Sequence, residues 1–126
     1  MELFNFIDKV STYESDKSFL AKIDSNIKTK ESLFENLYSK MQFPNYFGFN
    51  WDALFDCLRD FHWIEEKKIV LIHTEVPQIN ETDLKTYLNI LHEAIQDWKE
   101  DDTHVLEVVF PKADESKLKS LMNLGF

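Results

Sequence analysis

With 126 residues and 44% apolar side chains the chain is long enough for one hydrophobic core of its own, and two glycines and three prolines are too few for a low-complexity or disordered protein. A formal net charge of −9 argues against nucleic-acid binding, which needs a basic footprint, and a single cysteine excludes an internal disulfide. No apolar run is long enough to span a bilayer, and the opening residues lack the basic region of a signal peptide, so a cytoplasmic protein without membrane contact is expected.

In chain order, Leu3, Phe6, Ile7 and Val10 fall on one face of a predicted amphipathic helix over Glu2–Glu14. Phe19-Leu20-Ala21-Lys22-Ile23 reads as a strand, followed by a turn at Asp24-Ser25-Asn26. Leu33, Phe34, Leu37, Tyr38 and Met41 mark a helix with Thr29 as N-cap, stopped by Pro44. Pro44 also biases Phe43 away from helical backbone. Lys68-Ile69-Val70-Leu71-Ile72-His73 has the composition of a strand buried on both faces. From about Thr82, residues Leu84, Tyr87, Leu88, Leu91, Ile95 and Trp98 give a long helix with one apolar stripe. Val105–Phe110 is a third strand ended by Pro111, and Leu118, Leu121 and Met122 belong to a short terminal helix before Gly125. Strands alternating with helices predict a single α/β domain over residues 1–126, built on a three-stranded parallel sheet.

The most informative stretch runs from Phe43 to Phe61. Gly48 suggests a backbone position where a side chain does not fit or where φ is positive, and Asn50 stands where an N-cap belongs. On the helix that follows, Leu54, Cys57, Leu58 and Phe61 form a buried stripe, with Cys57 a small core hydrophobe. The other face then carries Asp52, Phe55, Asp56 and Arg59. An aromatic between two carboxylates is either a binding anchor or a ring packed under a neighbouring element, with the aspartates merely complementing the helix N-terminus.

The run Phe43-Pro44-Asn45-Tyr46-Phe47-Gly48-Phe49-Asn50-Trp51-Asp52-Ala53-Leu54-Phe55-Asp56-Cys57-Leu58 resembles the central signature of the barstar family, small acidic ribonuclease inhibitors that protect a bacterium from its own barnase-type toxin. The resemblance implies a barstar-like fold with an extra N-terminal helix, and a loop and helix that plug a nuclease active site with carboxylates in place of substrate phosphate. It assigns Asp56 to the phosphate-binding pocket, Asp52 to the acidic position one turn earlier and Tyr46 to an anchoring tyrosine. Phe47, Gly48 and Asn50 belong to the close-approaching loop. Phe55 stands where tryptophan is familiar, and Arg59 stands where a small hydroxyl residue is, a departure that places a cation opposite a cationic nuclease. His92-Glu93-Ala94-Ile95-Gln96-Asp97 resembles the segment that adds further acids, with Glu93 in contact and Asp97 at the border.

Charge is unevenly spread. Residues 43–66 hold one arginine against five acids and residues 92–102 one lysine against five acids, so these two stretches carry eight of the nine excess negative charges. If adjacent in space they make one acidic face that draws in a basic partner; taken separately, acidity simply keeps a protein soluble. The partner implied is a basic ribonuclease toxin, with the inhibitor monomeric when free, non-enzymatic and without cofactor or metal. Two other readings use the same residues: an acidic interaction module of this fold whose partner is not a nuclease, and a metal-dependent enzyme using Asp52 and Asp56. Against the enzyme, neither the histidines nor Cys57 show metal-ligand spacing, and no nucleophile or phosphate-loop motif occurs.

Overall fold

The computed structural model describes residues 3–99 and 102–123. The strands β1 (Phe4–Ile7), β2 (Ser18–Ile23), β3 (Lys68–His73) and β4 (Val105–Pro111) form one all-parallel sheet in the order β1-β4-β3-β2. The helices are α1 (Lys30–Lys40), α2 (Trp51–Leu58), α3 (Glu81–Asp97) and α4 (Glu115–Asn123), with 3₁₀ turns at Val10–Thr12 and Lys112–Asp114. Gly125 lies outside the described residues.

β3 is central, and its composition explains why. Ile69, Val70, Leu71 and Ile72 are all fully buried, which only a strand covered on both faces can achieve. Ile69 and Leu71 enter the main core with Ile23, Leu54, Leu58, Leu88, Leu91 and Phe110. Val70 and Ile72 point the other way and join Val109 in a small second core.

That second face accounts for the two departures from the sequence reading. The sheet has four strands, not three, and the segment read as a helix over Glu2–Glu14 is instead β1 followed by the Val10–Thr12 turn, with Glu2 outside the described residues. β4 offers an unpaired edge, and Phe4–Ile7 satisfies it in parallel register with Val108–Pro111. The pleat then sends Phe4 and Phe6 to the main core and Ile7 to the second, where Val10 and Tyr13 complete the cover. A polar cluster anchors this strap: the Glu107 carboxylate accepts from Tyr13 Oη at 2.5 Å and Asn5 Nδ2 at 2.9 Å, and pairs with Lys68 Nζ at 2.9 Å. Burial pushes the Glu107 carboxyl up, but bonds from Tyr13, Lys68 and Asn5 outweigh it and hold the group below its ordinary value.

Helix ends are fixed by named caps. Thr29 and Ser32 form a reciprocal capping box at α1, and Asn80 accepts from Asp83 N at 2.8 Å at α3. α1 closes before Pro44 is reached. Gln42 takes φ 55°, Gln42 N donates to Ser39 O and Phe43 N to Tyr38 O, the bond pattern of a Schellman motif without its usual glycine.

Inside the main core His73 is fully buried, with Nδ1 3.1 Å from Val109 O and Nε2 2.7 Å from Tyr87 Oη. A carbonyl can only accept, so Nδ1 carries the proton and Nε2 accepts from the tyrosine, which defines a neutral ring. Burial lowers the His73 pKa from 6.5 to about 4, against a small opposing effect of Val109. Because the folded value is depressed, its contribution is complete above pH 6.5 and is lost as pH falls toward 4, where the unfolded chain takes up a proton that the native ring refuses. Stability should therefore fall by roughly 3 kcal/mol across that window from this group alone. Denaturant unfolding at pH 7 and pH 4.5, with the His73 ring followed by NMR, checks this; a ring that titrates above pH 6 in the folded protein contradicts it.

Candidate functional site

The stretch from Phe43 to Arg59 projects from the helical side of the sheet as a loop leading into α2, and its shape is set by side chains within it. Asn50 Oδ1 accepts from Ala53 N at 2.8 Å, the expected N-cap, while Asn50 Nδ2 donates to Gly48 O at 3.2 Å. Both ends of the amide are engaged locally, so Asn50 acts on the surface through the turn it shapes. Gly48 does not have positive φ; a Cβ there would lie 3.0 Å from Asn50 Nδ2. Of the two reasons for a glycine, positive φ does not apply, and a side chain here would crowd the Asn50 amide that shapes the turn. The left-handed residue is its neighbour Phe49, at φ 53°, which for a bulky side chain costs about 1–2 kcal/mol.

This turn decides which aromatics face out. Phe47 is buried in a cluster with Phe34, Tyr38 and Phe43, its ring 4.9 Å from that of Phe43. Its side chain holds the loop down and offers no exposed face. Tyr46 is 63% and Phe49 45% exposed, and these two rings stand out of the loop. Phe49, absent from the sequence-based candidates, is held by Tyr38 and Phe47 on its inner side, at 5.2 and 4.9 Å. Residue type alone does not separate Phe47 from Phe49; only the backbone turn between them does.

On α2, Leu54, Cys57 and Leu58 are buried as predicted. Phe61 is buried too, but the helix has ended by then, and Phe61 reaches the core from a left-handed residue at φ 56°. Cys57 has its thiol pushed up to about 11 by burial, with Asp60 and Asp56 adding to it, so it is an inert core residue. The opposite face carries Asp52 and Asp56 into solvent, with Phe55 half-buried between them. Asp52 lies in the first turn, where negative charge complements the helix N-terminus.

α2 packs against α3, and this brings the two acidic stretches together. Arg59 is the joint. Its Nη2 lies 3.1 Å from Asp56 Oδ1 and its Nη1 3.4 Å from Asp97 Oδ2. Its guanidinium carbon sits 3.8 Å over the Phe55 ring. Glu93, one turn before Asp97 on α3, is exposed. Asp56, Phe55, Arg59 and Asp97 thus form a contiguous cluster, while Glu100 and Asp101 lie outside the described residues. Trp98 Nε1 donates to Leu58 O at 2.9 Å and Trp63 Nε1 to Met41 O at 3.1 Å, so indoles fasten the last carbonyl of α2 and the C-cap carbonyl of α1. The acidic side chains therefore stand on a pre-organised base.

No group of three or more His, Cys, Asp or Glu side chains gathers as a metal site among the described residues. No helix among the described residues is long and apolar enough to cross a membrane.

The parallel α/β sheet carries helices over its main core, and a capped loop and helix on that side present carboxylates and aromatics at one surface. The family model for barstar, described as the barnase inhibitor, matches residues 19–111, and the chain belongs to the barstar family. That match runs from β2 to β4, so β1, its following turn and α4 lie outside it. A search of curated proteins found no significant match.

Proposed function

We propose that this protein is the immunity partner of a basic ribonuclease toxin made in, or entering, the bacterial cytoplasm, and that it acts as a monomer, without turnover, by seating the Tyr46–Arg59 loop and helix in the enzyme's active site. The observation that carries the reading is the exposure of the Asp56 carboxylate, 77% accessible beside a second aspartate one turn away on a helix fixed at both ends. Membership of a family of barnase inhibitors supports it.

In this reading Asp56 meets the cations that hold the scissile phosphate of RNA, and Asp52, Glu93 and Asp97 extend the negative field around it. Tyr46 and Phe55 supply flat apolar contact, and Gly48 and Asn50 let the loop approach the enzyme closely. Electrostatic attraction speeds encounter, and the buried centre of the contact sets the lifetime of the complex. Titrating the protein into RNA-cleavage assays with basic ribonucleases, barnase as the reference member, tests the function; cleavage unaffected by a molar excess across the panel contradicts it.

Phe49 belongs to the same surface. Phe49→Ser should weaken ribonuclease binding about tenfold, roughly 1.4 kcal/mol, with the circular dichroism spectrum unchanged. Equal binding by the variant and wild type would restrict Phe49 to covering Tyr38 and Phe47.

A further inference from the structure

Arg59 is the sole Lys or Arg among residues 43–66, and it lies between Asp56 on α2 and Asp97 on α3. Besides its pairs with Asp56 and Asp97 and its stacking on Phe55, its Nε donates to Phe55 O at 3.3 Å. The side chain is still 37% exposed and borders an open cleft of about 430 Å³ that Asp97, Trp98, Asp102 and Thr103 also line. A guanidinium has five N–H donors. The three bonds to Phe55 O, Asp56 and Asp97 leave two for another acceptor. A cation reaching Asp56 from outside meets Arg59 already there.

We propose that Arg59 is the specificity-determining residue of this surface. It serves as an internal counter-ion to Asp56 and Asp97, disfavouring a ribonuclease whose active-site mouth presents cations alone and favouring one that also brings a carboxylate to the guanidinium. The inference rests on the inhibitor reading. Exposed ion pairs alone are weak, but here stacking and a backbone bond add to two carboxylates, and a displaced cation remains tethered at the helix end. Like charges forced together across an interface penalise the wrong partner more than they weaken the fold.

Barnase serves as the probe, with its cleavage of RNA measured against wild type, Arg59→Ala, Arg59→Gln, Arg59→Lys, Asp56→Ala and the double variant Arg59→Ala with Asp56→Ala. Arg59→Ala and Arg59→Gln should inhibit barnase at least tenfold more tightly than wild type, with a steeper loss of inhibition as salt rises. Arg59→Lys, which keeps the charge, should stay within about threefold of wild type, and the double variant should lose the gain. Arg59→Gln retains a side chain over Phe55, so it reports on charge even if Arg59→Ala is destabilised. Neutral variants no tighter than wild type overturn the discriminator role, whether all of the proteins inhibit or none does. If Asp56→Ala abolishes inhibition in the wild-type background while neutral variants show no gain, the inhibitor reading stands and only the role of Arg59 falls. If the double variant inhibits as well as Arg59→Ala, Asp56 is not in the contact and the counter-ion role of Arg59 falls although inhibition persists; the inhibitor reading itself fails only if no ribonuclease of the panel is inhibited.

Discussion

Asp56→Ala should lose at least about thirtyfold in affinity for the ribonuclease it inhibits, some 2 kcal/mol, while its thermal midpoint stays within about 3 °C of wild type. The two halves of this expectation have separate origins. The Asp56 side chain is 77% exposed and its contact within the fold is the pair with Arg59, which keeps Asp97 when Asp56 is removed. A surface pair of that kind contributes at most about 1 kcal/mol to folding. In a complex the same carboxylate would be desolvated against cations, and truncating it leaves those cations buried without a partner, which is the costlier event. Calorimetric titration alongside thermal unfolding separates the two. A variant that unfolds early makes Asp56 structural, and one that binds like wild type removes it from the contact.

The second large effect lies on the far side of the sheet. Removing residues 1–13 should cost on the order of 4 kcal/mol or more and bring aggregation, although none of these residues falls within the family match. Val70, Ile72 and Val109 are fully buried beneath Ile7, Val10 and Tyr13, and the shortened chain would open that apolar face to water. It would also expose the β4 edge, a template for pairing with other chains, and strip two donors from Glu107, leaving Lys68. Urea unfolding of the shortened chain against the full one gives the difference. Equal midpoints would mean that this strap is dispensable for folding.

Much of the architecture is readable from local signals. The Thr29 and Asn50 caps, the unbroken apolar run of β3 and the stripe of α3 each act within a few residues, and each lies where those residues place it. The N-terminal segment is different. Leu3, Phe6, Ile7 and Val10 have helical spacing, yet the decisive partners are Val108–Pro111, roughly a hundred residues away, and an open sheet edge outweighs a modest periodicity. The site divides in the same way. The exposed face of α2 follows from helix geometry, so Asp52, Phe55, Asp56 and Arg59 are predictable together. Which of Phe47 and Phe49 is exposed is not, because it depends on a left-handed residue that is not glycine. Nor is the Arg59–Asp97 pair, which joins two elements 38 positions apart. Read from sequence, Arg59 is a cation in the wrong place; in the structure it has partners on both helices.

The central claim, that this surface occupies the site of the RNA backbone, is tested most directly by steady-state RNA cleavage by a basic ribonuclease that the protein inhibits, at several fixed concentrations of the protein. Occupation of the active site predicts an apparent KM that climbs linearly with the concentration of the protein from its uninhibited value while kcat holds constant. A kcat that falls with KM unchanged would place the protein elsewhere on the enzyme and contradict the account.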